Sequence, residues 1–358
     1  MTISAPVSRS VPLGSRVRTL TGRLEQVVAR GDDSPARLSQ ALLDVVLEEI
    51  PSAGGALLLM HPHTGLFWTG AVTDLPAASC HPFFAVEVEA TTAHSFRRLA
   101  ATGGTARALS LHAGADDPLV TRVLAPYGFA DDLRVVCRDS SLSWGGLSLW
   151  RTSGAYDATD EQLLDAVSDL LGRALRDAVL ASLSDGRHQT TRGVIVVEGD
   201  TVLEVSTEGT DFLGELAEPH TERYRHLEHL LALAATDPRF STLLATEDGR
   251  WLSAHGTELG PGRVAITLTP ATPADLFGTR VAGAGLSDRE VEVTRLLCRG
   301  LSDGEIARRL GVSTHTARDH VKAVRRKLGV RSRAEVAALV FAEHYFDTFL
   351  HSAAISHG

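Results

Sequence analysis

Lysine is almost absent from this sequence. Of its 35 lysine and arginine residues, only Lys322 and Lys327 are lysines, and both lie near the carboxyl end. A phosphate-binding loop, a protein kinase and a phosphoacceptor receiver domain each need a lysine of their own. The shortage therefore excludes these three classes for the part of the chain upstream of Lys322.

Cysteines and long apolar runs are also scarce. Cys80, Cys137 and Cys298 are too few and too scattered for a disulfide framework or a zinc site with paired ligands. The longest apolar stretches, GALLLM and VAALVFA, are too short to cross a bilayer, and the amino-terminal segment has no signal-like apolar run. We therefore expect a cytoplasmic protein with no membrane partner.

Patterns for metal binding and catalysis are incomplete. Two histidine pairs, His61 with His63 and His226 with His229, could each supply two ligands to a metal ion. The sequence identifies no third or fourth ligand for either pair. Cys80 stands directly beside His81, which is not how a nucleophile and its base usually meet, and no G-x-S-x-G motif is present. We expect no metal, no cofactor and no enzymatic activity.

Charge is distributed unevenly along the chain. The net charge is −9, but the segment from Leu286 to Val340 has 12 basic and 7 acidic residues, against 23 basic and 37 acidic residues elsewhere. A basic module is thus attached to an acidic body, which makes nucleic acid a candidate partner of the module alone.

Capping signals divide the basic module into four helices. Serine and glutamate stand three residues apart, as in a capping box, at Ser287 and Glu290, Ser302 and Glu305, and Ser332 and Glu335. Ser313 is placed to cap the third helix without a glutamate partner. Glycines mark the helix ends at Gly300, Gly311 and Gly329.

Apolar residues recur at helical spacing between these caps. They are Val291, Val293, Leu296 and Leu297, then Ile306, Ala307 and Leu310, then Ala317, Val321, Val324 and Leu328, and finally Val336, Leu339 and Val340. Short helices are marginal alone, so these stripes are expected to bury one another. The second and third helices then form a helix-turn-helix, whose second helix enters the major groove of DNA.

The opposite side of the third helix is predominantly basic. Arg318, Asp319 and Lys322 are the candidates for reading base edges. Phosphate contacts are expected from the start of the helix and from its other polar residues, namely Ser313, Thr314, Thr316, His320, Arg325, Arg326 and Lys327. The alternative is a basic helix that is only solvated or that touches RNA.

The same module resembles the LuxR/GerE-type helix-turn-helix. The blocks LSDREVEV, GLSDGEIARRLGVS, TARDHVKAVRRKLGV and RSRAEV fall in register with that family without a gap. The family usually has valine and lysine where this chain has Ala317 and Arg318, and Asp319 is unusual there, so the operator sequence stays open. The resemblance implies a transcription regulator that binds double-stranded DNA.

Residues 15–185 show helical patterns, a hairpin formed by GGALLLM and LFWTGAV, a mixed middle, two strands in LRVVCRD and WGGLSLWRT, and a helix from about Thr159 to Ser184. This order predicts an antiparallel sheet with helices on one side. The region resembles a GAF domain, chiefly through WGGLSLWRTSGAYDATDEQLLDAVSDLLGRAL.

Residues 192–270 repeat the pattern on a smaller scale, with the strand pair GVIVVEGDTVLEVS and the closing strands GRWLSAHGTEL and GRVAITLTP, and resemble a PAS-type fold. The predicted fold class is therefore multidomain: α+β sensor domains, GAF-like and PAS-like, followed by an all-α four-helix DNA-binding domain. The remaining boundaries are a disordered segment 1–14, a linker 271–285, the DNA-binding domain 286–346 and a tail 347–358.

Two upstream features bear on regulation. An effector pocket is predicted from Phe67, Trp68, Phe84, His94, Phe96, Tyr127 and Trp144. Stripes at helical-pair spacing, Val17, Leu20, Leu24 and Val27, and Leu164, Val167, Leu171, Ala174 and Ala178, suit a homodimer seam. Ordinary core packing is the alternative for both.

We expect a one-component regulator whose upstream domains sense a small molecule or transmit a signal through a dimer. The alternative is a regulator whose upstream domains act only in dimerisation or protein contact, without a ligand. A phosphorylated response regulator, an enzyme with a DNA-binding tail and a receptor of acylated lactones fit less well, because none of their characteristic residue patterns is recognisable.

Overall fold

The computed structural model describes residues 12–31, 34–62, 64–101, 109–112, 116–139, 142–183, 191–216, 225–272 and 275–337. Most of the segment 1–14, His63, Leu339, Val340 and the tail 347–358 lie outside these residues. Within the described ranges no helix has both the length and the apolarity needed to cross a membrane.

The first antiparallel sheet follows the predicted strand pairs. Its strands are β1 (Gly54–Met60), β2 (Phe67–Thr73), β3 (Leu109–His112), β4 (Asp131–Asp139) and β5 (Leu142–Arg151), in the order β2-β1-β5-β4-β3. Its helices are α1 (Leu13–Arg30), α2 (Pro35–Glu49), α3 (Ala77–Glu89), α4 (Phe96–Ala101) and α5 (Ala158–Ser182), with helical turns at Val120–Leu124 and Ala125–Tyr127. The predicted hairpin of β1 and β2 is confirmed, with Leu58 opposite Gly70.

Two neighbouring glycines in β5 show that helices cover both faces of this sheet. A Cβ atom on Gly145 would lie 2.4 Å from Leu175 of α5, and one on Gly146 would lie 2.5 Å from the ring of Phe96 in α4. Successive residues of a strand face opposite sides, so α5 and α4 lie on opposite faces. The prediction of helices on one side is therefore wrong, because the mixed middle segment forms α3 and α4 on the second face.

The second sheet repeats the topology of the first. Its strands are β6 (Gly193–Glu198), β7 (Thr201–Val205), β8 (Ser241–Ala245), β9 (Trp251–Gly260) and β10 (Arg263–Pro270), in the order β7-β6-β10-β9-β8. Helices α6 (Thr207–Glu215) and α7 (Arg225–Thr236) accompany it. In both sheets the first strand lies between the second and the last strand, so the two regions share one pattern of connections.

The two sheet regions pack into one body. Edge strands β2 and β8 are neighbours, and α3 packs against α7. The ring centroid of His229 in α7 lies 5.7 Å from that of Phe67 in β2 and 5.3 Å from that of Phe84 in α3. Both large hydrophobic clusters accordingly contain residues from both regions.

Most residues of the two stripes considered as dimer seams are buried within the single chain, and Val17 and Val27 are partly buried there. Leu20 and Leu24 are fully buried where α1 packs on α2 and α5. The α5 stripe, Leu164, Val167, Leu171, Ala174 and Ala178, belongs to the same cluster. Core packing therefore accounts for both stripes.

A helix lies in the segment that was predicted to be a linker. Helix α8 (Phe277–Gly283) rests on the end of α5, where Arg280 Nη2 donates a hydrogen bond of 2.6 Å to the carbonyl oxygen of Leu183. A Cβ atom on Gly283 would lie only 2.4 Å from Leu180, so the two helices are in close contact. The chain then forms α9 (Asp288–Cys298), α10 (Asp303–Leu310), α11 (Thr314–Lys327) and a helical turn at residues 333–337.

Candidate nucleic-acid interface

Reciprocal caps fix the first turns of α9 and α10. Ser287 Oγ accepts from the N–H of Glu290, whose carboxylate accepts from the N–H of Ser287. Ser302 and Glu305 make the same two bonds. These contacts confirm two of the three predicted capping boxes and satisfy N–H groups that a helix start otherwise leaves unpaired.

The remaining caps differ in detail. Ser313 Oγ accepts from the N–H of Thr316 at 3.0 Å, which confirms it as the cap of α11. Ser332 caps the N–H of Glu335 at 3.1 Å, but the Glu335 carboxylate accepts from the N–H of Arg331 rather than from that of Ser332. The three predicted glycine stops have positive φ angles, of 79° at Gly300, 67° at Gly311 and 68° at Gly329.

The bundle has a hydrophobic core of its own. Its buried members are Val293, Leu296, Leu297, Ile306, Ala307, Leu310, Ala317, Val321, Val324 and Val336. Leu328 is only partly buried, and Val291 is not part of this cluster. Because α11 turns Ala317, Val321 and Val324 toward the core, its opposite face is left to solvent.

The predicted base-reading residues lie on that exposed face. The side chains of Arg318, Asp319 and Lys322 are 58%, 56% and 68% exposed. His315, which the sequence reasoning omitted, is 85% exposed and places Nδ1 3.0 Å from Asp319 Oδ2. Its position four residues before Asp319, on the same face of the helix, could have identified it from the sequence.

The basic side chains of this exposed face form weak ion pairs with neighbouring carboxylates. Arg318 Nε lies 3.6 Å from Asp303 Oδ2, and Lys322 Nζ lies 4.0 Å from Asp319 Oδ1. Asp303 also accepts from Arg333, a second residue that the predicted set omitted. Exposed pairs of this kind contribute about 0–1 kcal/mol, so a nucleic acid can replace them at little cost.

Some of the residues expected to contact phosphate are open to solvent, whereas others are already hydrogen-bonded within the protein. Ser313, Thr314, Thr316 and Arg326 are exposed, and His320 is half-buried. Arg325 is half-buried and donates through Nη2 to the carbonyl oxygen of Arg331. The Arg325 guanidinium is thus already engaged within the protein.

Lys327 is placed differently from the prediction. Its Nζ donates to Glu290 Oε2 at 2.6 Å and to the carbonyl oxygen of Gly285 at 3.0 Å. Burial raises the pKa of Glu290, but the hydrogen bonds from Lys327 and Ser287 outweigh it and hold that pKa below its usual value. The ammonium group already has two acceptors, which removes Lys327 from the set we expect to contact phosphate.

The seven upstream candidates do not come together as one pocket. Phe67 contacts Phe84 and Phe96, with ring centroids 5.9 and 6.4 Å apart. Trp68 and Trp144 belong to the other hydrophobic cluster. His94 Nδ1 lies 2.7 Å from Asp117 Oδ2, and Tyr127 donates to the carbonyl oxygen of Ala78 at 2.6 Å.

A small cavity lies where β2, α3 and α7 meet. Phe67, Trp68, Phe84, His226 and His229 are among its lining residues, and its volume is about 20 Å³. A cavity of that size holds about one water molecule. His229 Nε2 is buried there without a hydrogen-bond partner among the described residues.

The two histidine pairs do not build a metal site in the described part of the chain. No group of three or more His, Cys, Asp or Glu side chains is placed there to hold a metal ion. His61 packs edge to face on Trp68, with ring centroids 5.3 Å apart, and His63 lies outside the described residues.

The geometry from α9 to α11 is that of a helix-turn-helix bundle with an exposed basic second helix. Residues 284–340 match the family profile described as "Bacterial regulatory proteins, luxR family", and this segment is a domain of that family.

Curated relatives match part of the chain. The nitrate/nitrite response regulator protein NarL of Escherichia coli is 32% identical over 96 residues, which is 26% of this chain and 44% of NarL. The bialaphos biosynthetic pathway regulatory protein of Streptomyces hygroscopicus is 47% identical over 53 residues, which is 15% of this chain and 21% of that protein. The chain thus spans less than half the length of either.

Solved structures resemble the chain only weakly. Escherichia coli SdiA covers 93% of this chain and 98% of its own, with 15% identity and a TM-score of 0.35. The phycoerythrobilin-bound GAF domain from a cyanobacterial phytochrome covers 48% of this chain and 98% of its own, with 15% identity and a TM-score of 0.31.

Proposed function

We propose that this protein is a transcription regulator that binds duplex DNA through α11. The observation that carries this proposal is the exposure of Arg318 and Lys322 on a helix whose other face is fixed in the core of a luxR-family domain. Arginine and lysine suit the acceptor atoms of guanine in the major groove, and Asp319 suits the amino group of cytosine. The amino-terminal end of α11 presents backbone N–H groups, the kind of donor that binds phosphate at the start of a helix.

Selection of binding sites from a random duplex pool tests this function. We expect an enriched sequence that binds at least about 10³-fold more tightly than a scrambled duplex at the same salt concentration. Affinity is also expected to fall as salt rises, because bound arginine and lysine release counterions. A pool without enrichment, together with binding that ignores salt, would contradict the proposal.

We further propose that the upstream body regulates this module as a one-component system. The docking of α8 on α5 supports the proposal, because it gives the body direct contact with the segment that leads into the DNA-binding domain. A small-molecule effector is proposed to bind beside Phe67 and Phe84. The cavity there has room for about one water molecule, so binding of a larger molecule requires the elements that line it to move apart.

The second candidate is a body that acts only in dimerisation or protein contact. The water-sized cavity favours it. In either case we propose a homodimer, since two recognition helices one DNA turn apart grip a two-fold site. Native mass spectrometry separates the candidates: a dimer with an added small mass supports sensing, whereas a dimer of the bare chain mass supports the second role.

A further inference from the structure

Residues 277–285 form a connector between the two sheet regions, which together are the upstream body, and the helical bundle from α9 onward. The connector is hydrogen-bonded at both ends. At its start, α8 rests on α5 through Arg280 and Gly283. At its end, Gly285 has a positive φ of 61°, and its carbonyl oxygen accepts from Lys327 Nζ at 3.0 Å. The last residue of the connector is therefore bonded to the last residue of α11.

Glu290 completes the contact. Its Oε2 lies 2.6 Å from Lys327 Nζ and accepts from the N–H of Ser287 at 2.7 Å, so one carboxylate joins the start of α9 to the end of α11. The Glu290 side chain is 8% exposed and the Lys327 side chain 31% exposed. Water screens this pair less than it screens an exposed pair such as Arg289 and Glu292, whose side chains are 37% and 50% exposed.

We propose that Lys327 is a latch between the connector and the recognition helix. Its ammonium group holds the end of α11 against Gly285 and Glu290, so that a displacement of α5 reaches α11 through α8. Lys327 is thus a positioning residue, whereas Lys322, on the exposed face of the same helix, meets DNA. The inference rests on the proposed DNA-binding function.

The salt dependence of DNA binding separates a latch from a phosphate contact. A lysine that neutralises a phosphate releases counterions when DNA binds. Its loss makes the negative slope of log K against log salt shallower by about 0.9. A lysine whose ammonium stays within the protein leaves that slope unchanged. Lys322 is the matched control, because it is the only other lysine and lies on the same helix.

The experiment compares the full chain with its Lys327→Gln and Lys322→Gln variants on one selected duplex. We expect Lys322→Gln to lower the slope by about 0.9 and Lys327→Gln to leave it as in the parent. Hydrogen exchange of residues 284–291 in the free proteins should be about tenfold faster in Lys327→Gln and unchanged in Lys322→Gln, because only the first loses the latch.

Two further variants guard against a general folding defect. Glu290→Gln removes the charge but keeps an oxygen that can accept from Ser287, and it should raise the exchange of residues 284–291 as Lys327→Gln does. Lys327→Arg keeps the charge and should restore the parent exchange rate.

Two results would overturn the latch: a fall in slope for Lys327→Gln equal to that for Lys322→Gln, or unchanged exchange at residues 284–291. If the parent binds no duplex, the proposed function fails, and the exchange comparison still decides whether the latch exists.

Discussion

The indole rings of Trp68 and Trp251 meet edge to face, with centroids 5.2 Å apart and planes at 89°. Trp68 belongs to β2 of the first sheet and Trp251 to β9 of the second. Trp251 Nε1 also donates to Ser182 Oγ, at the end of α5, at 3.1 Å. This one residue therefore joins the second sheet to the first sheet and to the helix on which the connector rests.

Replacing Trp251 by alanine is expected to destabilise the whole upstream body. The side chain is 6% exposed, and removal of a buried tryptophan costs about 3–5 kcal/mol of unfolding free energy. Chemical denaturation measures the change. Leu259→Ala, at a position of β9 that is 57% exposed, is the control and should stay within about 0.5 kcal/mol of the parent. Equal effects of the two changes on the unfolding free energy would show that the contact of Trp251 between the two sheets does not stabilise the protein.

A buried ion cluster in the first sheet region should likewise contribute more to stability than an exposed ion pair. Arg134 Nη1 lies 2.7 Å from Glu87 Oε1, and Arg134 Nε lies 2.7 Å from Asp132 Oδ2. These side chains are at most 3% exposed, and Asp132 still pairs with Arg134 in Glu87→Gln, so the change is expected to cost about 1.5–3 kcal/mol, the contribution of a hydrogen bond to a charged group. The same change at Glu198, in a pair with Arg263 that is 54% exposed on both sides, should cost about 0–1 kcal/mol. Urea unfolding of the two variants checks the difference.

His229 predicts a loss of stability in mild acid. Burial, aided by His226, lowers its pKa from 6.5 to about 3. The unfolded chain therefore binds a proton below pH 6.5 that the folded chain does not, and stability falls as pH falls through that window. From pH 7 to pH 5 this histidine should cost about 2 kcal/mol.

Denaturant unfolding at the two pH values tests the histidine prediction. The variant His229→Leu should lose that share of the pH dependence, whereas His315→Gln, at a position with an 85% exposed side chain, should keep it. An unchanged pH dependence in His229→Leu would contradict the assignment.

Two arginines of α11 are expected to differ in DNA recognition. Arg318→Ala should cost about 1–3 kcal/mol on the selected site and relax the preference at one base position. Arg326→Ala should weaken all duplexes alike and lower the salt slope by about 1. Anisotropy titrations on the selected site and on single-base variants of it measure both effects. Arg318→Ala binding as tightly as the parent would remove Arg318 from base readout.

The helical bundle was predictable because its signals are local. Ser287 with Glu290 and Ser302 with Glu305 bond within one helical turn, so residue spacing alone identifies them. The strands of the two upstream hairpins were predictable for the same reason, since each pairs with its neighbour along the chain.

Two of the missed features depend on contacts between distant residues, and a third was missed because the element is short. The engagement of Lys327 by Gly285 spans 42 positions, and no spacing rule connects them. Helix α8 lies in a segment rich in Ala, Gly and Pro and is stabilised by α5, about a hundred residues earlier in the chain. Strand β8 is a five-residue edge strand next to a helix, too short for an alternating pattern to stand out.

If the exposed face of α11 lies against DNA, a bound duplex should protect Lys322 from chemical modification and should leave the reactivity of Lys327 unchanged. Limited acetylation of the chain, with and without the selected duplex, is followed by mass spectrometry of the peptides that contain Lys322 and Lys327. Saturating duplex should remove most of the reactivity of Lys322, while Lys327 should react slowly in both states because its ammonium group is bonded to Glu290 and Gly285. Undiminished acetylation of Lys322 in the DNA-bound protein would show that this face of α11 does not contact DNA.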